Sequence, residues 1–236
     1  VLVVDDSAMV RSIMVDGLSE DPELEVVGAA ADAYEARDMI VRMQPDVVTL
    51  DIEMPRMDGL EFLRRIMPRM PIRVVMVSAL TGRGQETTLR ALEMGAVDFV
   101  GKPTGDPDSL RTAMAMLRQK VKVASLANVS HWKGRVPEPP PRFSGATHRA
   151  TASKIIVLGA STGGTEAVKV VLKGLPVEGP GIVIVQHMPD EFTRLTGNAL
   201  NSFSALNHLA TDCDAEHTIS RIVDSRPGKQ TGLRAA

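Results

Sequence analysis

The chain has 236 residues, 44% hydrophobic and 24% charged, with a formal net charge of −2. This is the balance of a soluble globular protein of one large or two smaller domains, and it excludes a broad electrostatic pull toward nucleic acid or an anionic membrane. Aromatics make up only 3%, so Val, Leu, Ile, Ala and the 13 Met must build the core, and the single cysteine, Cys213, excludes an intrachain disulfide and fits a reducing cytoplasm.

Val1 already lies in an apolar run, which suggests a short preceding segment. No stretch has a signal-peptide pattern, and no apolar run reaches the ~18–20 residues that span a bilayer. Residues 1–126 then alternate apolar runs with amphipathic stretches. The runs "VLVV", "LEVVGA", "DVVTLD", "RVVMVSA" and "VDFVGK" are short, β-branched and bounded by Asp, Gly or Pro, as buried parallel strands are. Between them Met9, Ile13, Met14, Gly17 and Leu18 recur at helical spacing, as do Ala36, Ile40 and Met43, then Leu60, Leu63 and Met67, then Leu89, Leu92 and Ala96. A last helix, "DSLRTAMAMLRQKV", opens on an Asp/Ser cap. Five βα units predict an α/β domain with a doubly wound parallel five-stranded sheet.

Residues 127–152 change character. Four prolines and several Gly, Ser, Thr and basic residues, with no apolar period, predict an extended linker whose basic side chains are solvated or form a docking patch. A second domain is expected over 153–236. There "KIIVLGA", "GTEAVKVVLKGLP" and "GIVIVQHMP" read as strand, helix and strand, one βαβ unit of a partial parallel-sheet α/β domain. After about residue 195 the pattern weakens.

In open parallel sheets, ligands bind beyond the carboxyl ends of the strands. Here the first strand ends in Asp5 and Asp6, the third in Asp51, the fourth in Ser78 and the fifth in Lys102. Clustered carboxylates repel, and a hard divalent cation relieves the repulsion through oxygen ligands. A carboxylate held there can attack phosphorus, while metal, ammonium and hydroxyl neutralise the phosphoryl oxygens.

These residues, with "VLVVDDSAMVR", "LDIEMPRMDG", "MVSALT" and "GAVDFVGKP", closely resemble a response-regulator receiver domain over roughly residues 1–120. The resemblance implies that Asp51 accepts a phosphoryl group from a histidine kinase. It also implies that Asp6 and Asp51 hold Mg²⁺, that Asp5 beside them acts mostly through water, and that Glu53 contributes its backbone carbonyl. Ser78 and Lys102 would respond to the phosphoryl group. Phe99 would occupy an aromatic switch position, though a packed edge-strand aromatic suits it equally, and Lys102–Pro103 would be a cis peptide.

Further along, "GASTGG" fits G-x-S-x-G through Gly159, Ser161 and Gly163. Such a turn cradles a phosphate or presents a nucleophile, and by itself leaves both open. It lacks the G-x-G-x-x-G and Lys-Ser/Thr signatures of nucleotide loops. His187 follows the next strand, 26 residues after Ser161, one βαβ unit away. Neighbouring parallel strands lie ~4.7–4.9 Å apart, so the base that a serine nucleophile needs is within reach.

The pair "IVLGASTGGTEAV" and "IVIVQHMPDEFT" strongly resembles the catalytic domain of chemotaxis protein-glutamate methylesterases, and receiver, linker and motif pair stand in that family's order. The resemblance implies a cytoplasmic enzyme that demethylates glutamyl esters on chemoreceptor helices and deamidates receptor glutamines, with a chemotaxis histidine kinase as phosphodonor. No cofactor for the hydrolysis, no nucleic-acid partner and no direct membrane insertion are expected. Ser161 would attack, His187 would take its proton, and backbone amides near Thr162 would hold the oxyanion. Phosphorylation of Asp51 would loosen receiver packing over the catalytic cleft.

After "FTRL" the resemblance stops. The family's third catalytic residue, an aspartate, has no match, because Asp212, Asp214 and Asp224 sit in no corresponding motif. The third acid is therefore unknown, and the tail reads as a truncated or altered end. Little or no methylesterase activity is expected of this chain on that basis. The alternative is a phospho-accepting receiver with an inactive C-terminal remnant.

Overall fold

The β-branched runs of the first 101 residues form five parallel strands, and the amphipathic stretches between them form helices. A computed structural model describes residues 1–78, 82–102, 107–134, 155–175, 181–187, 196, 208–213 and 219–224. Its contacts divide the chain into Val1–Pro137 and Glu138–Ala236.

The first unit runs β1 (Leu2–Val4), α1 (Ala8–Ser19), β2 (Gly28–Ala30), α2 (Ala33–Met43), β3 (Val47–Asp51), α3 (Gly59–Ile66), β4 (Arg73–Ser78), α4 (Gly82–Glu93), β5 (Asp98–Gly101) and α5 (Pro107–Ser125). The sheet order is β2-β1-β3-β4-β5, parallel throughout. The order reverses direction between β1 and β3, the place where such sheets bind ligands. All five residues of β3 are buried, which requires cover on both faces. On one face Met14 and Leu18 of α1 meet Met114, Leu117 and Val121 of α5 over Val3, Val47, Val75 and Val77.

The helix starts follow local chemistry. Asp32 accepts from the backbone N–H groups of Tyr34 and Glu35, and Asp58 from that of Glu61, satisfying donors that have no partner within the helix. Helix α5 begins one residue before the expected Asp cap, at Pro107, whose missing N–H costs nothing there. Two details depart from the sequence pattern. Met9 shares the helical spacing of Met14 and Leu18 yet is 73% exposed, because the first turn of α1 projects past the end of the short strand β1. Strand β2 is three residues, not the six of "LEVVGA", since it is an edge strand facing a three-residue partner.

Residues 127–134, at the head of the linker read from the sequence, pack on the first unit. Ala127 and Val129 join the α1–α5 core. The Ala127 carbonyl accepts from Arg73 Nε at 2.8 Å, and Gly134 N–H donates to the Pro68 carbonyl at 2.9 Å. Trp132 lies over Gly95, whose φ of +109° suits glycine; a Cβ there would come within 2.8 Å of Trp132 and of Met67. Pro68 and Gly95 precede strand starts and Arg73 opens β4, so this strap closes the end of the sheet opposite Asp51.

The second unit contains β6 (Ile155–Ala160), α6 (Gly164–Gly174), β7 (Gly181–His187), β8 (His208–Cys213) and β9 (Ile219–Asp224), in the sheet order β6-β7-β9-β8. Strands β6 and β7 are parallel, as the βαβ pattern predicts, and Val168 and Leu172 of α6 pack on Ile182 and Ile184. The tail differs from its weak pattern. Strand β9 pairs antiparallel with both β7 and β8, so the sheet is mixed. "HLATDC" and "ISRIVD" are short, and neither alternates apolar with polar residues, so they carry no period-2 strand signal.

Candidate functional site

Two places assemble chemistry, one at the carboxyl end of each sheet. In the first, β1 and β3 are neighbours, so the residues that leave them converge. The closest carboxylate oxygens of Asp5, Asp6 and Asp51 lie within 4.8 Å of one another, with Asp5 and Asp51 buried and Asp6 exposed. Strand β5 carries Lys102 into the same space, where Nζ stands 2.9 Å from Asp5 Oδ2 and 2.8 Å from Asp51 Oδ2. Its backbone N–H donates to the Ser78 carbonyl at 2.8 Å, which ties the ends of β4 and β5 together. Ser78 itself is buried.

Burial, and then the nearby Asp5 charge, push the Asp51 carboxyl up to about 6, while Lys102 and the Glu53 backbone N–H pull against the rise. Burial works against the Lys102 ammonium, but its two carboxylate partners outweigh it and raise its pKa. Glu53 has an exposed side chain, and its N–H donates to the Asp51 carboxylate. The donor set is all oxygen, partly buried and short of positive charge, which fits a hard cation such as Mg²⁺.

Two supports escaped the sequence reading. Arg11 Nη1 donates to the backbone carbonyls of Asp5 at 2.7 Å and Asp6 at 2.9 Å, holding the acidic turn. An Arg one turn into a helix looks like a solvated surface residue from spacing alone. Gly59 is the second: a Cβ there would lie 2.2 Å from the Asp51 carbonyl oxygen, so only glycine lets α3 start against β3. Phe99 is buried on β5. Pro103 lies outside the described residues.

At the second place, β6 and β7 are in register through Ala160 and Gln186. The next residues are Ser161 and His187, so the two stand at the same level on adjacent strands; for His187 the backbone is the described part. Ser161 is exposed, Thr162 half-buried, and Gly163 takes the left-handed φ of +73° as the N-cap of α6. Gly164 N–H donates to the Ser161 carbonyl at 2.7 Å, and Gln186 Nε2 donates to the same oxygen at 3.0 Å. A Cβ on Gly164 would meet Ala160 at 2.5 Å and Gln186 Oε1 at 2.7 Å. The sharp turn is thus bound to its neighbour strand, and Thr162 and Gly163 lead into the helix N-terminus that favours negative charge.

Register also sorts the downstream aspartates. Asp224 pairs with His208 at the end of the sheet away from His187. Asp212 pairs with Ser220, itself paired with Gln186, so it shares the His187 end but stands two strands from β7. Asp214 lies outside the described residues.

Both units match known protein families. The response regulator receiver domain family matches residues 1–115, and the CheB methylesterase family matches residues 156–219, past the point near 195 where the motifs fade. A protein-glutamate methylesterase/protein-glutamine glutaminase of Syntrophotalea carbinolica is 55% identical over 210 residues, covering 87% of this chain and 60% of that protein. One of Pseudomonas aeruginosa, bearing the same name with the number 2, is 49% identical over 88% of this chain and 59% of its own length. The chain thus spans about three fifths of these curated relatives. Among solved structures, the response regulator domain of Thermotoga maritima CheB is 43% identical with a TM-score of 0.50, covering 54% of this chain and 96% of that one. With receiver and methylesterase sequence in this order, the chain belongs to the CheB family of response-regulator protein-glutamate methylesterases.

Proposed function

We propose that this chain is a phosphorylation-controlled hydrolase that removes methyl groups from glutamyl methyl esters on chemoreceptor helices and deamidates receptor glutamines in the cytoplasm. The observation that carries the reading is the β6–β7 register, which sets Ser161 level with His187 on a chain that also holds the Asp51 pocket. Ser161 Oγ attacks the glutamyl carbonyl carbon while His187 accepts its proton, and backbone amides near Thr162 and the start of α6 stabilise the oxyanion. The C–O bond to methoxide breaks, His187 returns the proton, and methanol leaves. Water then repeats the sequence on the acyl-serine, freeing the carboxylate. For glutamine the leaving group is ammonia.

Control lies at Asp51. Its carboxylate oxygen attacks the phosphorus of a kinase phosphohistidine, the P–N bond breaks, and the electron pair returns to the imidazole. Asp5, Asp6, Asp51 and the Glu53 carbonyl would hold Mg²⁺, which supplies charge neutralisation during the transfer. Lys102 and Ser78 bind the phosphoryl oxygens.

The test is methanol release from methylated receptor, with and without a phosphodonor, by the parent chain and Ser161→Ala. Release that rises with phosphodonor and vanishes in Ser161→Ala supports the proposal. Phosphorylation at Asp51 with no Ser161-dependent release would instead identify a receiver with an inactive C-terminal remnant.

A further inference from the structure

Lys120 of α5 is buried, and the phosphoryl chemistry makes no use of it. Its Nζ donates to Asp98 Oδ1 at 2.7 Å and to the Phe99 carbonyl at 2.8 Å, and stands 5.0 Å from the centre of the Phe99 ring. Asp98 is buried too, and its Oδ1 accepts the Phe99 N–H at 2.7 Å.

The sheet topology explains this cluster. Strand β5 is the edge of the sheet, with β4 on one side. In a parallel strand the N–H and C=O of one residue point to the same side. Both backbone groups of Phe99 are taken up by the Asp98–Lys120 pair, which therefore stands where a further strand would bond. A buried ion pair is a costly way to fill space, since apolar side chains of similar volume do as well or better. What it supplies is a fixed hydrogen-bonding address for one peptide of β5.

Three residues beyond Phe99 is Lys102, whose ammonium bridges Asp5 and Asp51. Strand β5 delivers that ammonium, and it is held at one end by Lys120 and at the other by the Lys102 N–H bond to Ser78. We propose that Lys120 is a positioning residue for phosphoryl acceptance: by pinning Phe99 at the free edge of β5, it sets the height at which Lys102 enters the acidic pocket. This rests on the reading of Asp51 as the phosphoryl acceptor.

The experiment uses the full chain with radiolabelled acetyl phosphate and Mg²⁺, comparing the parent, Lys120→Met, Lys102→Ala and the double variant. Lys120→Met keeps the length and apolar stem but removes the charge. It is expected to slow labelling by about tenfold, within what misplacing a charge-stabilising group costs. In the Lys102→Ala background the same change is expected to add less than about twofold, since coupled residues are not additive. A merely structural role would slow both backgrounds alike. Lys120→Gln, which keeps a donor, serves if the Met variant does not fold, with the same dependence on Lys102 expected. Parent-like labelling in a folded Lys120 variant, or an equal penalty without Lys102, overturns the proposal. Asp51→Asn separates the two readings, because label retained in that variant means that Asp51 is not the acceptor.

Discussion

Replacing Asp51 by Asn should stabilise the metal-free protein at neutral pH. Burial and the Asp5 charge lift the folded-state pKa of Asp51 from 3.8 to about 6. The folded chain therefore binds more protons than the unfolded chain between those values, and stability falls as pH rises across that window. The shift of roughly two units, at about 1.4 kcal/mol each, sets a ceiling near 3 kcal/mol. Solvent screening at the mouth of the pocket, where Asp6 is exposed, brings the expected effect to about 1–2 kcal/mol. Lys102 loses one partner in the variant but keeps Asp5. Urea denaturation in chelator, followed from about pH 4 to pH 8, measures it. The advantage of Asp51→Asn should be near zero at the acid end and reach its full size above about pH 6. Added Mg²⁺ should then close the gap, because the parent retains all three carboxylates and binds the ion more tightly. A variant no more stable than the parent at neutral pH, or an advantage that does not change with pH, would refute the argument.

Three further changes probe the supports. Gly59→Ala places a Cβ 2.2 Å from the Asp51 carbonyl oxygen; since backbone cannot yield as a side chain does, a loss of about 2–3 kcal/mol is expected, with slowed labelling by acetyl phosphate. Arg11→Met removes two hydrogen bonds to the Asp5–Asp6 turn and should weaken Mg²⁺ binding by at least about threefold, read by titration, with at most about 1–2 kcal/mol lost from overall stability. Gly95→Ala forces a side chain into the Trp132 contact at a φ of +109°. It should cost about 1–3 kcal/mol and expose the strap to limited proteolysis after residue 126.

The features legible in the sequence are those with short range. Strands that end in Asp5, Asp51, Ser78 and Lys102 announce where their side chains go, because parallel strands share a carboxyl end. The Ser161–His187 juxtaposition likewise follows from one βαβ unit. Features that depend on distant partners were not legible. Nothing in "HWKG" says that Trp132 finds Gly95, and nothing in α5 distinguishes the buried Lys120 from its half-buried neighbours Arg118 and Lys122, which pair with Glu20 and with Asp21 and Glu23. Strand β9 shows no alternation of its own, and no local signal names β7 as its partner.

Trp132 is the single tryptophan of the chain, and the strap fixes it beside Gly95 and Met67. The protein therefore carries its own optical reporter at one known address. Emission excited in the indole band comes from the end of the first sheet remote from Asp51, with no contribution from the second unit. A spectral change on phosphoryl addition would be a signal that has crossed the length of the sheet. An unchanged spectrum would mean that the rearrangement stops short of the strap.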